Sequence, residues 1–223
     1  MGEIAAGLTR QHASDTVHDL GWRYVLGAVS TTVRTRDLAE AAALVTRLAA
    51  VDGSTEHLRA DLRADRVLLT LSTWPARWLT PESLALAAVL TAEIRAAGLT
   101  ADAVAEHAVQ ALEIAVDALD ADAIRPFWRA VLGYRGDAGL HDPRGQGPAV
   151  WFQRMDAARP QRNRVHVDIS VPHDVAPARV AAALDAGGTL LSDAAAPAFW
   201  VLADPEGNEA CVSGWEGRDA PAA

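Results

Sequence analysis

Apolar and polar positions along this chain switch repeatedly between the period of a strand and that of a helix. From Trp22 to Val33, aromatic and β-branched residues read as a strand or hairpin. A helical period follows, in which Leu38, Ala41, Leu44, Val45 and Leu48 form one stripe. Asp37 can cap this helix, with Glu40 three residues on as in a capping box. Leu58 to Leu62 and Val67 to Thr73 read as two strands joined by the turn Arg63-Ala64-Asp65-Arg66. Thr80 as N-cap and Pro81 at the first helical position then open a helix expected to run to Ala97 and stop at Gly98.

The second half states one plan twice. Leu112 to Tyr134 reads as a strand ending near Asp117 to Asp120, then an amphipathic helix through Phe127 and Trp128 that closes at Leu132-Gly133. Arg164 to Gly188 repeats it: a strand from Val165 to Val171, a Pro172-His173-Asp174 turn with Asp174 as helix cap, and an Ala-rich helix closing at Gly187-Gly188. The second copy continues into Phe199-Trp200-Val201-Leu202 and Asp204-Pro205-Glu206-Gly207-Asn208. The join between the two halves falls near Gly98 to Glu106. This predicts one domain over residues 1–103 and another over 104–223.

Composition narrows the function classes. A chain of 223 residues that is 50% hydrophobic can bury one or two cores. A formal net charge of −9 argues against binding a phosphate backbone, so no nucleic-acid partner is expected. All the basic residues are arginine, which excludes a Schiff-base or P-loop lysine. Cys211 is the only cysteine, so no disulfide can form within the chain. The N-terminal residues lack a secretory pattern, and no apolar run is long enough to span a bilayer. A soluble, cytoplasmic protein without a membrane partner is expected.

At Trp22, the Ala-rich helix, Glu56-His57-Leu58-Arg59, Thr73-Trp74 and Leu79-Thr80, the first half resembles the pterin-4a-carbinolamine dehydratase family. The resemblance covers roughly Gly21 to Ile94 and implies an α/β sandwich. That family carries a His-His-Pro-Asp run and a later Thr-His, which supply proton donors and acceptors near neutrality. Here only His57 of three histidines stands, with Glu56 beside it, and Trp74 replaces the last one. The resemblance therefore implies a degenerate copy, with His57 and Glu56 as its candidate acid/base pair.

The second half resembles the vicinal oxygen chelate superfamily, the glyoxalase and bleomycin-resistance fold. The residues that carry this are Phe127-Trp128-Arg129-Ala130-Val131-Leu132-Gly133-Tyr134, Val150-Trp151-Phe152-Gln153, Asn163-Arg164-Val165-His166-Val167-Asp168 and Ala203-Asp204-Pro205-Glu206-Gly207-Asn208-Glu209. It implies paired βαβββ modules forming an eight-stranded curved half-barrel, and an α+β class for the whole chain. It also implies metal ligands on the first and last strands of each module. Aligning the copies gives Glu113 and His166 on the first strands, and Cys211 and Gln153 on the last, as a set for one divalent metal such as Zn, Ni or Mn. His141 and His173 sit in turn-forming sequence and need no such role.

Aromatic residues concentrate in this half. Trp151, Gln153, Arg164 and Trp200 are the candidate substrate-binding residues: broad apolar walls with a few polar groups suit a small organic ligand. Three readings follow. One is a metal-dependent lyase or isomerase acting on a small oxygenated substrate, the second a metal-free protein that sequesters an aromatic molecule, the third residual pterin dehydratase activity. Both resemblances imply a homo-oligomer.

Overall fold

The structure, a computed structural model, describes residues 3–5, 8–73, 78–104, 109–158 and 165–217. The chain divides into Met1–Ala111 and Leu112–Ala223. The first unit runs β1 (Glu3–Ile4), α1 (Arg10–His18), β2 (Arg23–Val25), β3 (Ala28–Arg34), α2 (Leu38–Ala49), α3 (Ser54–His57), β4 (Leu58–Leu62), β5 (Arg66–Leu71), β6 (Trp78–Leu79) and α4 (Pro81–Ala96). The mixture of helices and several sheets is the expected α+β class.

β2 and β3 form a hairpin through Leu26 and Gly27, which are left-handed at φ 48° and 79°. Positive φ at both turn residues matches the twist of the paired strands. The antiparallel sheet has the order β2-β3-β5-β4. Val29 and Val33 of β3, with Val67, Leu69 and Leu71 of β5, face the core. Leu44 and Leu48 of α2 and Leu84, Leu90 and Ile94 of α4 complete that core. Ser30, Thr32, Arg34, Arg66, Leu68 and Thr70 alternate with these residues and so lie on the opposite, helix-free face.

Both helix starts are capped by the expected residues, with one difference. Thr80 and Ser83 form a reciprocal capping box at α4. At α2 the Asp37 side chain accepts from the Glu40 N–H, but the Glu40 carboxylate takes the N–H of Arg36, one residue before the cap. The side chain of Arg36 pairs with the same carboxylate and draws it there. Trp22 is fully buried and its Nε1 donates to Thr91 on α4 at 2.9 Å, so the indole is satisfied inside the core. α1 is absent from the sequence expectation because only Ala13 and Val17 on it are buried, too few to write a stripe.

The second unit runs β7 (Glu113–Ala118), α5 (Ala121–Leu132), β8 (Ala149–Arg154), β9 (Val167–Ser170), α6 (Ala176–Asp185), β10 (Thr189–Ser192), β11 (Phe199–Ala203) and β12 (Glu209–Ser213). In the second module the strand order is β10-β11-β12-β9, with β12 and β9 parallel. In the first, β7 and β8 are parallel, and the remaining neighbours are the bridges Leu140 to Val150 and Arg135 to His141. The two modules thus share one order, but the middle strands of the first shrink to bridges. The expected run of eight strands is a four-stranded and a two-stranded sheet. The cause is local: Gly136, Gly139, Pro143, Gly145, Gly147 and Pro148 interrupt the pattern.

Asp142 organises that interrupted segment. Its buried carboxylate accepts from the N–H groups of Arg144, Gln146 and Gly147 and from the Arg144 guanidinium. Burial pushes its pKa up, but these hydrogen bonds outweigh it and bring the value down from 3.8 to about 2. α5 begins at Asp120, which accepts from Asp122 and Ala123, and ends at left-handed Gly133. α6 begins differently from expectation: its cap position is Val175, with no side-chain hydrogen bond, and Asp174 is not the cap.

One core joins the two modules. Val116, Ala118 and Val150 of the first meet Val180, Ala183, Leu202, Ala210 and Val212 of the second around Ile124, Phe127, Trp128 and Val131 of α5. The turn before β12 is tied to α5 as well. Glu206 accepts from the N–H groups of Leu119 and Asp120, both at 2.7 Å, where a carboxylate suits a helix N-terminus. From α6, Arg179 donates to the Val131 carbonyl at 3.0 Å; burial lowers its pKa.

Candidate functional site

The parallel strand pairs decide which side chains share a face. β9 and β12 match Val167 with Ala210, Asp168 with Cys211, Ile169 with Val212 and Ser170 with Ser213. Val167, Ile169, Ala210 and Val212 join the core, so Asp168, Ser170, Glu209, Cys211 and Ser213 occupy the opposite face. Ser170 and Ser213 confirm this with a hydroxyl-to-hydroxyl contact of 3.0 Å. In β7 and β8, Ile114, Val116, Val150 and Phe152 face the core, leaving Glu113, Ala115, Asp117, Trp151 and Gln153 on the other side. Each module therefore presents one helix-free sheet face.

Glu113, Gln153 and Cys211 lie on these faces, and exposed His166 stands two residues before Asp168. The register nevertheless separates Gln153 from Glu113. Cys211 sits opposite Asp168, two residues beyond His166, whereas the residue opposite Ala115, two beyond Glu113, is Trp151. Trp151, not Gln153, is thus the counterpart of Cys211. Gln153 is four residues past Ala149, the partner of Glu113, or roughly 13 Å along the strand. Among the described residues no three His, Cys, Asp or Glu side chains come together as a metal would require.

The substrate-binding expectations divide in the same way. Trp151 is 36% exposed on the helix-free face, and Gln153 is exposed beside it. Trp200 is corrected: it packs against the core with Leu202, and Phe199 is the exposed member of that pair. Arg164 and Trp74 lie outside the described residues. His173 accepts from Trp215 Nε1 at 3.0 Å.

Glu209 is a residue that sequence reasoning missed. It is 6% exposed, on the same strand face as Cys211, which is 8% exposed. Counting back two from Cys211 along β12 was the signal that could have found it.

In the first unit, His57 is half-buried at the end of α3, and its Nδ1 lies 3.2 Å from the Thr73 hydroxyl. Thr73 in turn reaches Thr80 at 3.5 Å. The contact that orients His57 is therefore a hydroxyl group, while Glu56 is exposed.

No helix among the described residues is long and apolar enough to cross a membrane. No curated protein matches the chain. Several solved structures are similar to it. A glyoxalase/bleomycin resistance protein/dioxygenase family enzyme from Burkholderia phytofirmans is 19% identical over 46% of this chain and 95% of that one, with a TM-score of 0.37. A glyoxalase/bleomycin resistance protein from Albidiferax ferrireducens is 17% identical over 46% and 95%, with a TM-score of 0.36. A transcriptional coactivator/pterin dehydratase from Brucella melitensis is 21% identical over 39% and 96%, with a TM-score of 0.34. Residues 113–213, which begin with β7 and end with β12, match the family model of the glyoxalase-like domain.

Proposed function

We propose that the second unit is a glyoxalase-like small-molecule-binding domain that holds an aromatic ligand on its helix-free sheet face without a metal. The observation that carries this reading is the register that puts Trp151 at the counterpart of Cys211. An indole cannot ligate a metal, but it offers a flat apolar surface for stacking. Gln153 beside it supplies an amide for orienting a polar substituent. Glu113, His166 and Cys211 remain on or next to the same faces as polar groups around the ligand.

Fluorescence titration of the full chain with a panel of small aromatic compounds, alongside elemental analysis after incubation with Zn, Ni and Mn, tests the reading. Saturable binding that Trp151→Ala abolishes, in protein that retains no stoichiometric metal, supports it. About one tightly held metal per chain, lost in His166→Ala, favours the metal-dependent lyase or isomerase instead. Sedimentation of the same samples reads the homo-oligomer that the resemblances imply.

A further inference from the structure

β10 is an open edge of the second module's sheet. The order β10-β11-β12-β9 gives it one neighbour, so one row of its backbone N–H and C=O groups points away from the sheet. Thr189, Leu190, Leu191 and Ser192 are all exposed. Among the described residues, their backbone makes no hydrogen bond beyond the ladder with β11.

Such a row is a template for another strand, and sheets ordinarily blunt it with charge, Pro or a covering segment. The other outer strands of the two four-stranded sheets follow that rule: β2 carries Arg23, β4 carries Arg59 and Asp61, and β9 carries Asp168. β10 carries no charge and no Pro. It presents Leu190 at 40% and Leu191 at 51% exposure instead. Leu190 lies opposite Leu202, on the core side, and the register shift between Leu190 and Ser192 takes Leu191 out of the ladder with β11.

Charge selects the occupant. With a net charge of −9, two copies of this chain repel over most of their surfaces. An antiparallel pairing of β10 with itself avoids this. Centred on Leu190, on Leu191 or between them, it brings Asp193, the first charge beyond the strand, against the partner's Gly187, Thr189 or Gly188. The same four residues then supply donors and acceptors to both sides, as a twofold axis requires.

We propose that two copies of this chain pair antiparallel through β10, joining two four-stranded sheets into one, with Leu190 and Leu191 of each copy packed about the twofold axis. The pairing is independent of the ligand reading above and gives the expected homo-oligomer a defined surface. Four residues make a short ladder, so the dimer is weak and forms with rising concentration.

Sedimentation velocity of the full chain over a concentration series tests this, with hydrogen exchange measured at both ends of the series. The expected result is a monomer–dimer equilibrium in which the amides of residues 189–192 gain protection as the dimer forms, while those of β4, a charged edge, do not change. Leu191→Lys sets like charges beside the axis and weakens the dimer at least about tenfold, with the melting temperature of the dilute protein unchanged because the position is exposed. Mixing Leu191→Lys with Leu191→Asp restores a dimer of one copy of each. A monomer at every concentration overturns the proposal and leaves the edge to a strand of another protein. So does a dimer that Leu191→Lys leaves intact, or one that forms without added protection at residues 189–192.

Discussion

Trp128 on α5 donates its Nε1 hydrogen to Asp204 at 2.9 Å, across 76 positions of sequence, and both side chains are buried. The same carboxylate accepts from the N–H groups of Glu206 and Asn208 and from the Asn208 side chain. One residue of the second module thus fixes both its own turn and the helix of the first. Asp204→Ala removes the acceptor of four hydrogen bonds and is expected to destabilise the protein by about 3 kcal/mol, against about 1 kcal/mol for Trp128→Phe, which leaves the turn intact. Urea unfolding of both variants checks the order.

Asp142 makes stability depend on pH at the acid end. Its folded pKa, about 2, is below its ordinary value of 3.8, so its contribution is present above pH 4 and disappears as pH falls through about 2. The shift corresponds to about 2 kcal/mol. The difference in unfolding free energy between the native protein and Asp142→Asn should therefore shrink between pH 4 and pH 2.

Gly21 has φ +84°, and a Cβ there would lie 2.1 Å from the carbonyl oxygen of Ala101. Gly21→Ala faces both backbone strain and a backbone clash. A loss of at least about 2 kcal/mol is expected, read as a lowered melting temperature.

Trp151 and Trp200 separate binding from packing. Trp151→Ala on the helix-free face should cost less than about 1 kcal/mol while removing ligand binding. Trp200→Ala opens the core and should cost about 2 kcal/mol or more. Equal effects of the two on stability and on binding would contradict the face assignment.

The helices and their ends were largely legible in the chain. Thr80, Pro81, Asp37 and Gly133 act within one turn of their own positions, so their chemistry is local and readable. The strand faces were legible only as alternatives. Phe199 and Trp200 had to point opposite ways, but nothing in the sequence said which faced the core. The position on the last strand of the first module turned on the same step: Gln153 and Trp151 are two residues apart on one face, and only strand register chooses between them.

By itself, the sequence determined two halves, a strand-then-helix plan stated twice in the second, and the caps at Asp37, Thr80 and Gly133. The tertiary structure alone decided that Trp151 matches Cys211, that Trp200 belongs to the core, that Glu209 joins the Cys211 face, and that Arg34 meets Arg66. The physical reason is that caps and periods are set by neighbours a few residues away. Register and facing depend on hydrogen bonds between strands far apart in sequence, and a shift of one residue reverses every side chain.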